Sequence, residues 1–177
     1  MPDFPALLPE FRFRLPDDAG DEKLLGDVQE YGWHVVAIPD DAEGPGFAFT
    51  VGLYLRTLQP EILIMGIPME PAHRILNAVG RRLVTGGTLV PDERYHGLVD
   101  GRDVCFRPIH KSWFHEYLGY ANWFYRPSEV KFPAFQCFWP DSEGRFPWES
   151  GFDARFADRQ IDLSLPDPDP LRGRQKT

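Results

Sequence analysis

The sequence predicts an α+β fold: a mainly antiparallel or mixed β-sheet with two to three helices packed on it, in a single domain. Three observations carry this. The elements run helix, two or three strands, helix, strand, helix, strand, which is not a regular βαβ alternation and places the helices on one face. The 177 residues are 42% hydrophobic and 26% charged, the composition of one ordinary globular domain. Finally, 18 prolines and 16 glycines cut the chain into short pieces with sharp turns.

Each element has a local reason. Residues 1–20 form an N-terminal arm, proline-rich and without helical period, whose Phe4, Leu7, Leu8, Phe11 and Phe13 suit it to lie on the body. A helix follows, capped by Asp21, with Leu24, Leu25 and Val28 as its buried stripe and Gly32 as its stop. Trp33–Ile38 and Phe47–Gly52 read as strands of a hairpin around an acidic turn. Ile62–Gly66 is continuously apolar, as in a strand covered on both faces. A helix begins at Pro68–Pro71, buries Ile75, Leu76, Val79 and Leu83, and stops at Gly86–Gly87. Residues 91–103 read as a polar loop with a turn at Asp100–Gly101, before a strand over Val104–Ile109. His110–Tyr125 is a helical, strongly aromatic segment, and Pro133–Trp139 the last strand. The globular unit spans 21–161, and the Asp-Pro repeats of 162–177 predict a disordered tail.

A net charge of −8 argues against a general nucleic-acid binder, which needs a basic face for phosphates. There is no apolar run of about 18 residues to span a membrane. The N-terminus lacks the basic and apolar regions of a signal peptide, so a cytoplasmic setting is expected. Cys105 and Cys137 lie in apolar strands and read as buried free thiols rather than a bridge.

Several runs together resemble one family. They are Tyr31-Gly32-Trp33-His34, Phe47-Ala48-Phe49-Thr50-Val51-Gly52-Leu53, Pro60-Glu61 before an apolar strand ending at Gly66, Ile75-Leu76-Asn77, and Trp139-Pro140-Asp141 running on to Gly144-Arg145-Phe146-Pro147-Trp148. The chain resembles DUF4262, a bacterial domain of unknown function, over roughly Asp21 to Asp162. The resemblance implies a bacterial cytosolic setting and brings no chemistry, cofactor or catalytic residue.

The candidate ligand-binding residues are therefore read from side chains: His34, Thr50, Gly52, Glu61, Gln136, Asp141, Arg145 and Trp148. Alternation puts Ala48, Thr50 and Gly52 on one strand face, whose small residues suit either tight packing under a helix or a ligand floor. His34 sits in a strand, where a histidine is more often a hydrogen-bonded packing residue than a catalyst. Gln136 interrupts an apolar strand and, if buried, must be paired. Asp141 and Arg145 can pair across the turn that Trp148 closes, as a hairpin lock or as a pocket wall with an arginine for a carboxylate or phosphate. Glu61, after Pro60 at a strand start, is ambiguous in the same way. His110 and His115 are five apart, the wrong spacing for a helix-borne zinc pair, so no metal site is expected. No nucleophile elbow, P-loop or dinucleotide fingerprint occurs.

Two readings follow. One is a non-catalytic binding or interaction module for a small ligand or a protein partner, with homodimerisation among its forms. The other is a small-molecule enzyme with a cleft around His34, Thr50, Gln136 and Arg145. The sequence names no cofactor.

Overall fold

The computed structural model describes residues 8–99 and 101–171. Phe4 and Leu7 of the arm, Asp100 of the predicted turn and the last six tail residues lie outside the described residues.

A six-stranded mixed sheet forms the centre: β1 (His34–Ile38), β2 (Phe47–Val51), β3 (Glu61–Met65), β4 (Arg94–Val99), β5 (Arg102–Pro108) and β6 (Ala134–Phe138), in the order β1-β2-β3-β6-β5-β4. All pairs are antiparallel except β3 with β6, which run parallel with Leu63 beside Gln136. The helices are α1 (Ala19–Tyr31), α2 (Leu53–Thr57), α3 (Met69–Val84), α4 (Phe114–Tyr117) and α5 (Gly119–Tyr125).

Alternation along the strands divides the core in two. Ala48, Ile62, Ile64, Val104 and Phe106 face one side, where α3 covers them with Ile75, Leu76, Val79 and Leu83. Phe49, Val51, Leu63 and Met65 face the other, under Leu24 and Val28 of α1 and Phe124 and Tyr125 of α5. This corrects the expectation of helices on one face. β3 is apolar on both sides because both sides are covered, and that requires two helical layers.

Other expectations change in detail. The cap of α1 is Asp18, whose carboxylate accepts from the Asp21 N–H at 2.9 Å, while Asp21 accepts from Asp17 N. Residues 94–99, expected as loop, form the edge strand β4. The aromatic segment is not one helix but a 3₁₀ turn at Lys111–Trp113, then α4 and α5. Phe11 and Phe13 of the arm pack on Phe124, with ring centroids 4.9 and 5.9 Å away.

The first residues of the segment expected as tail, 162–167, lie against the body. Leu163 is fully buried, its N–H donates to Gln136 Oε1 at 2.9 Å, and its carbonyl accepts from His110 N at 2.7 Å. Trp113 Nε1 donates to Leu165 O and Asp167 N to Ser112 Oγ. Residues 159–167 are thus a strap across the sheet, anchored by one leucine and a series of hydrogen bonds.

Candidate functional site: a cleft at the ends of the parallel strands

The eight candidate residues fall in four places. Thr50, Gly52 and Glu61 come together at the end of the β2–β3 pairing, deep in the protein. Backbone pairing stops at Phe49 and Leu63. There the Thr50 hydroxyl takes over, accepting from Ile62 N at 2.9 Å and donating to Glu61 Oε2 at 2.6 Å. Glu61 Oε1 accepts from Gly52 N, Tyr54 N and the Tyr125 hydroxyl, at 2.9, 3.2 and 2.5 Å. The Tyr125 oxygen in turn accepts from Leu55 N at 3.2 Å. The carboxyl is fully buried, and every one of these partners is a neutral donor. Burial pushes it above the ordinary carboxylate range, and the four donors oppose that rise. Gly52 is required twice over. Its φ is 102°, and an added Cβ would meet Val28 Cγ1 at 2.8 Å. The small face of β2 is closed by packing, with Ala48 and Thr50 both fully buried.

His34 lies apart, at the β1 edge. Its Nδ1 is 2.6 Å from Asp27 Oδ2, which also accepts from Lys23 Nζ at 2.9 Å. Burial holds the imidazole below its ordinary value, and Asp27 opposes that shift.

Gln136 is buried and fully used: Nε2 donates to Ile161 O at 2.8 Å and Oε1 accepts from Leu163 N. Its partners are the strap, which sequence reasoning had no means to identify.

Asp141, Arg145 and Trp148 organise the turn after β6. Asp141 accepts from Glu143 N, Arg145 N and Asp153 N at 2.9, 2.9 and 3.0 Å, and from Arg145 Nε at 3.2 Å. Burial alone would raise its pKa, but the backbone N–H groups and Arg145 outweigh it and hold the carboxyl below its ordinary value. The turn covers β5 and β6 with a layered stack. The Arg94 guanidinium lies 4.7 Å from the Phe146 ring centre, Phe146 stacks on Trp148 at 5.2 Å, and Arg107 lies 3.5 Å from the Trp148 ring.

The sheet opens into a cleft elsewhere. β3 and β6 run parallel, and the segments leaving their carboxyl ends, Gly66-Ile67-Pro68 and Trp139-Pro140, diverge there, the usual place for a ligand in a sheet with parallel strands. An apolar cavity of about 190 Å³ is lined by Ile67, Pro68, Pro71, Ile75, Val104 and Trp139. A polar cavity of about 340 Å³ is lined by Arg94, Arg102, Asp103, Asp141 and Ser142. Arg102, Asp103 and Pro140 line both, so the two cavities adjoin at these residues and form the candidate cleft. Of the eight candidates only Asp141 lines it.

Hydrogen bonds and ion pairs tie down part of the wall. Trp139 donates from Nε1 to Met65 O at 2.8 Å, and its backbone N–H and C=O pair with the side-chain amide of Gln160 at 3.0 and 2.8 Å. Asp103 pairs with His96 and lies 3.6 Å from Arg94, which holds Glu149 at 2.8 Å. Arg102 was missed because nothing local to residues 100–104 signals a site. Its only mark is its place, the first residue of β5.

Among the described residues no three of His, Cys, Asp and Glu converge as a metal-holding group. No helix among them is long and apolar enough to cross a membrane. Cys105 and Cys137 are buried free thiols.

No curated protein and no solved structure matches the chain. Residues 27–153, from Asp27 of the His34 pair to Asp153 beside the Asp141 turn, match the family model DUF4262, a domain of unknown function, and the chain belongs to that family.

Proposed function

We propose that this protein is a non-catalytic binding module that takes a small molecule in the cleft at the carboxyl ends of β3 and β6. The observation that carries the reading is an apolar cavity with Arg102, Asp103 and Pro140 at its border, where a polar cavity adjoins it. Apolar walls with a few convergent polar groups are the usual make-up of a ligand site. The Trp139 wall, held through its indole N–H and its backbone, favours binding, because it loses little conformational freedom when a ligand enters.

An enzyme cleft around His34, Thr50, Gln136 and Arg145 has less support. Thr50 and Gln136 are buried with their hydrogen-bonding groups engaged, and Arg145 is tied to Asp141. A general base or nucleophile needs a lone pair within reach of a substrate. A large protein-docking face has less support too, since Trp113, Phe124 and Tyr125 of the aromatic segment are core, while Tyr120 is exposed. The free thiols fit a reducing, cytoplasmic setting.

Native mass spectrometry of protein isolated from its own cells tests the reading. A small mass that survives native conditions, leaves on denaturation, and is lost from Ile75→Trp, which fills the apolar half, is the expected result. Retention of that mass by Ile75→Trp, or a second polypeptide in its place, would overturn it.

A further inference from the structure

Taking the cleft as the binding site, an inference about its ligand follows from which charges around it are already compensated. Arg94 is committed to Glu149 through two contacts of 2.8 Å, to Gly144 O at 3.0 Å and to the Phe146 ring. Asp103 is committed to His96 and Arg94. Asp141 is committed to three backbone N–H groups and Arg145. Among the described residues Arg102 alone of these charged groups has no hydrogen bond or ion pair, and it stands where the two cavities meet. α3 also begins beside the apolar half, with Pro68 and Pro71 in its wall, so the positive end of a sixteen-residue helix lies on the same side.

We infer that the ligand is a small amphipathic organic anion. Its apolar body lies against Ile67, Ile75 and Trp139, and its carboxylate or phosphate-type group sits on the Arg102 guanidinium. The chemistry fits in both halves. The apolar end offers ring and aliphatic carbon and few polar groups, and a planar guanidinium with unoccupied donors binds a carboxylate or phosphate through two parallel hydrogen bonds. A neutral apolar molecule would leave Arg102 unused, and a cation would meet it as a like charge. The specificity thus comes from one residue, while the apolar wall supplies most of the contact.

Phenylacetate and its neutral counterpart phenylethanol, titrated into the full chain and followed by backbone amide NMR, test this. Phenylacetate is expected to shift Ile67, Ile75, Trp139 and Arg102, and to bind about tenfold more tightly than phenylethanol, the value of one charge-assisted contact. Arg102→Gln is expected to abolish that preference and leave phenylethanol binding as it was. Urea midpoints equal to wild type show that the variant is folded. Equal binding of the two probes at these residues, or a preference that survives Arg102→Gln, overturns the anion and leaves the cleft. Failure of both probes to perturb the cleft residues overturns the cleft reading as well.

Discussion

The same face of the sheet is covered in two different ways. Over β1–β3 the cover is helical: α1 and α5 bury an apolar layer on Phe49, Leu63 and Met65, with the Glu61 carboxyl fully buried at its edge. Over β4–β6 the cover is irregular chain, the turn after β6 and the strap. Helices satisfy their own backbone, so α1 and α5 need only apolar surface to hold them. Irregular chain does not, and every buried N–H and C=O in it must find a partner. Gln136, Asp141 and Gln160 serve as those partners, and this explains why polar side chains crowd one half of the molecule. The difference teaches that a buried polar residue in an apolar strand marks what lies over it at least as often as it marks chemistry.

The comparison can be broken first at Glu61. Glu61→Ala strips the acceptor from three buried donors and the part-buried Tyr54 N–H, at about 1–3 kcal/mol for each buried one, a sum comparable with the roughly 5–15 kcal/mol that holds a whole domain. The variant is expected not to fold. Glu61→Gln, which keeps one acceptor oxygen, falls between it and wild type in urea denaturation. A soluble, cooperative Glu61→Ala would show that the helical half does not depend on this hub.

Next is Gln136→Leu, which orphans Ile161 O and Leu163 N and is expected to cost about 2–4 kcal/mol. Here the loss should be local. Limited proteolysis is expected to nick the strap between residues 159 and 167 before the sheet unfolds. Cleavage at α1 or α5 first would contradict the division into two covers.

Acid separates the halves by sign. The folded pKa of Asp141 is depressed, so its stabilisation is present above the unfolded value of about 3.9 and disappears as pH falls through the folded one. The folded pKa of Glu61 is raised, so its contribution is present below the unfolded value of about 4.3 and declines as pH rises through the folded one. Asp141→Asn is therefore expected to flatten the loss of stability below about pH 4, measured as urea midpoints against pH. An unchanged acid limb would place that loss elsewhere.

Smaller still is Trp148→Ala. It removes a half-exposed ring between Phe146 and Arg107, for about 1 kcal/mol. Arg102→Gln should change stability least, by less than about 0.5 kcal/mol, because nothing in the protein holds that side chain.

How much of this was legible in the sequence follows from range. The β1–β2 hairpin, β3 and α3 announce themselves by local periodicity. β4 does not, because its strand-forming Tyr95 is set among Arg94, His96 and Gly97, with no continuous apolarity and with a register irregularity. α2 is too short for a period. The strap is hidden by its Asp-Pro composition, since its burial rests on Leu163 and on partners contributed by β6. At the site, Gln136 reads as a polar group that needs partners if buried and Asp141 as a partner of Arg145, while Thr50 reads as part of a small-residue face and Glu61 as ambiguous. Which partners is a long-range fact: Tyr125 lies 64 residues from Glu61 and Ile161 lies 25 from Gln136. The cleft residues stood out least, because an exposed arginine and a few aliphatics look like any surface.

Gly66 has a bearing on how the protein must be handled and on how relatives can differ from it. With φ at 80°, its Cα lies so close to the Arg159 carbonyl that an added Cβ would be 2.0 Å from that oxygen. Position 66 and the path of the strap are thus interlocked: a relative with any side chain at 66 must route its C-terminal segment differently. A fragment cut where the family match ends, at residue 153, would lose this interlock together with Gln160 and Leu163. Trp139 would then stand without its backbone clamp and Gln136 would be bare, so the smallest faithful fragment for binding work extends through residue 167.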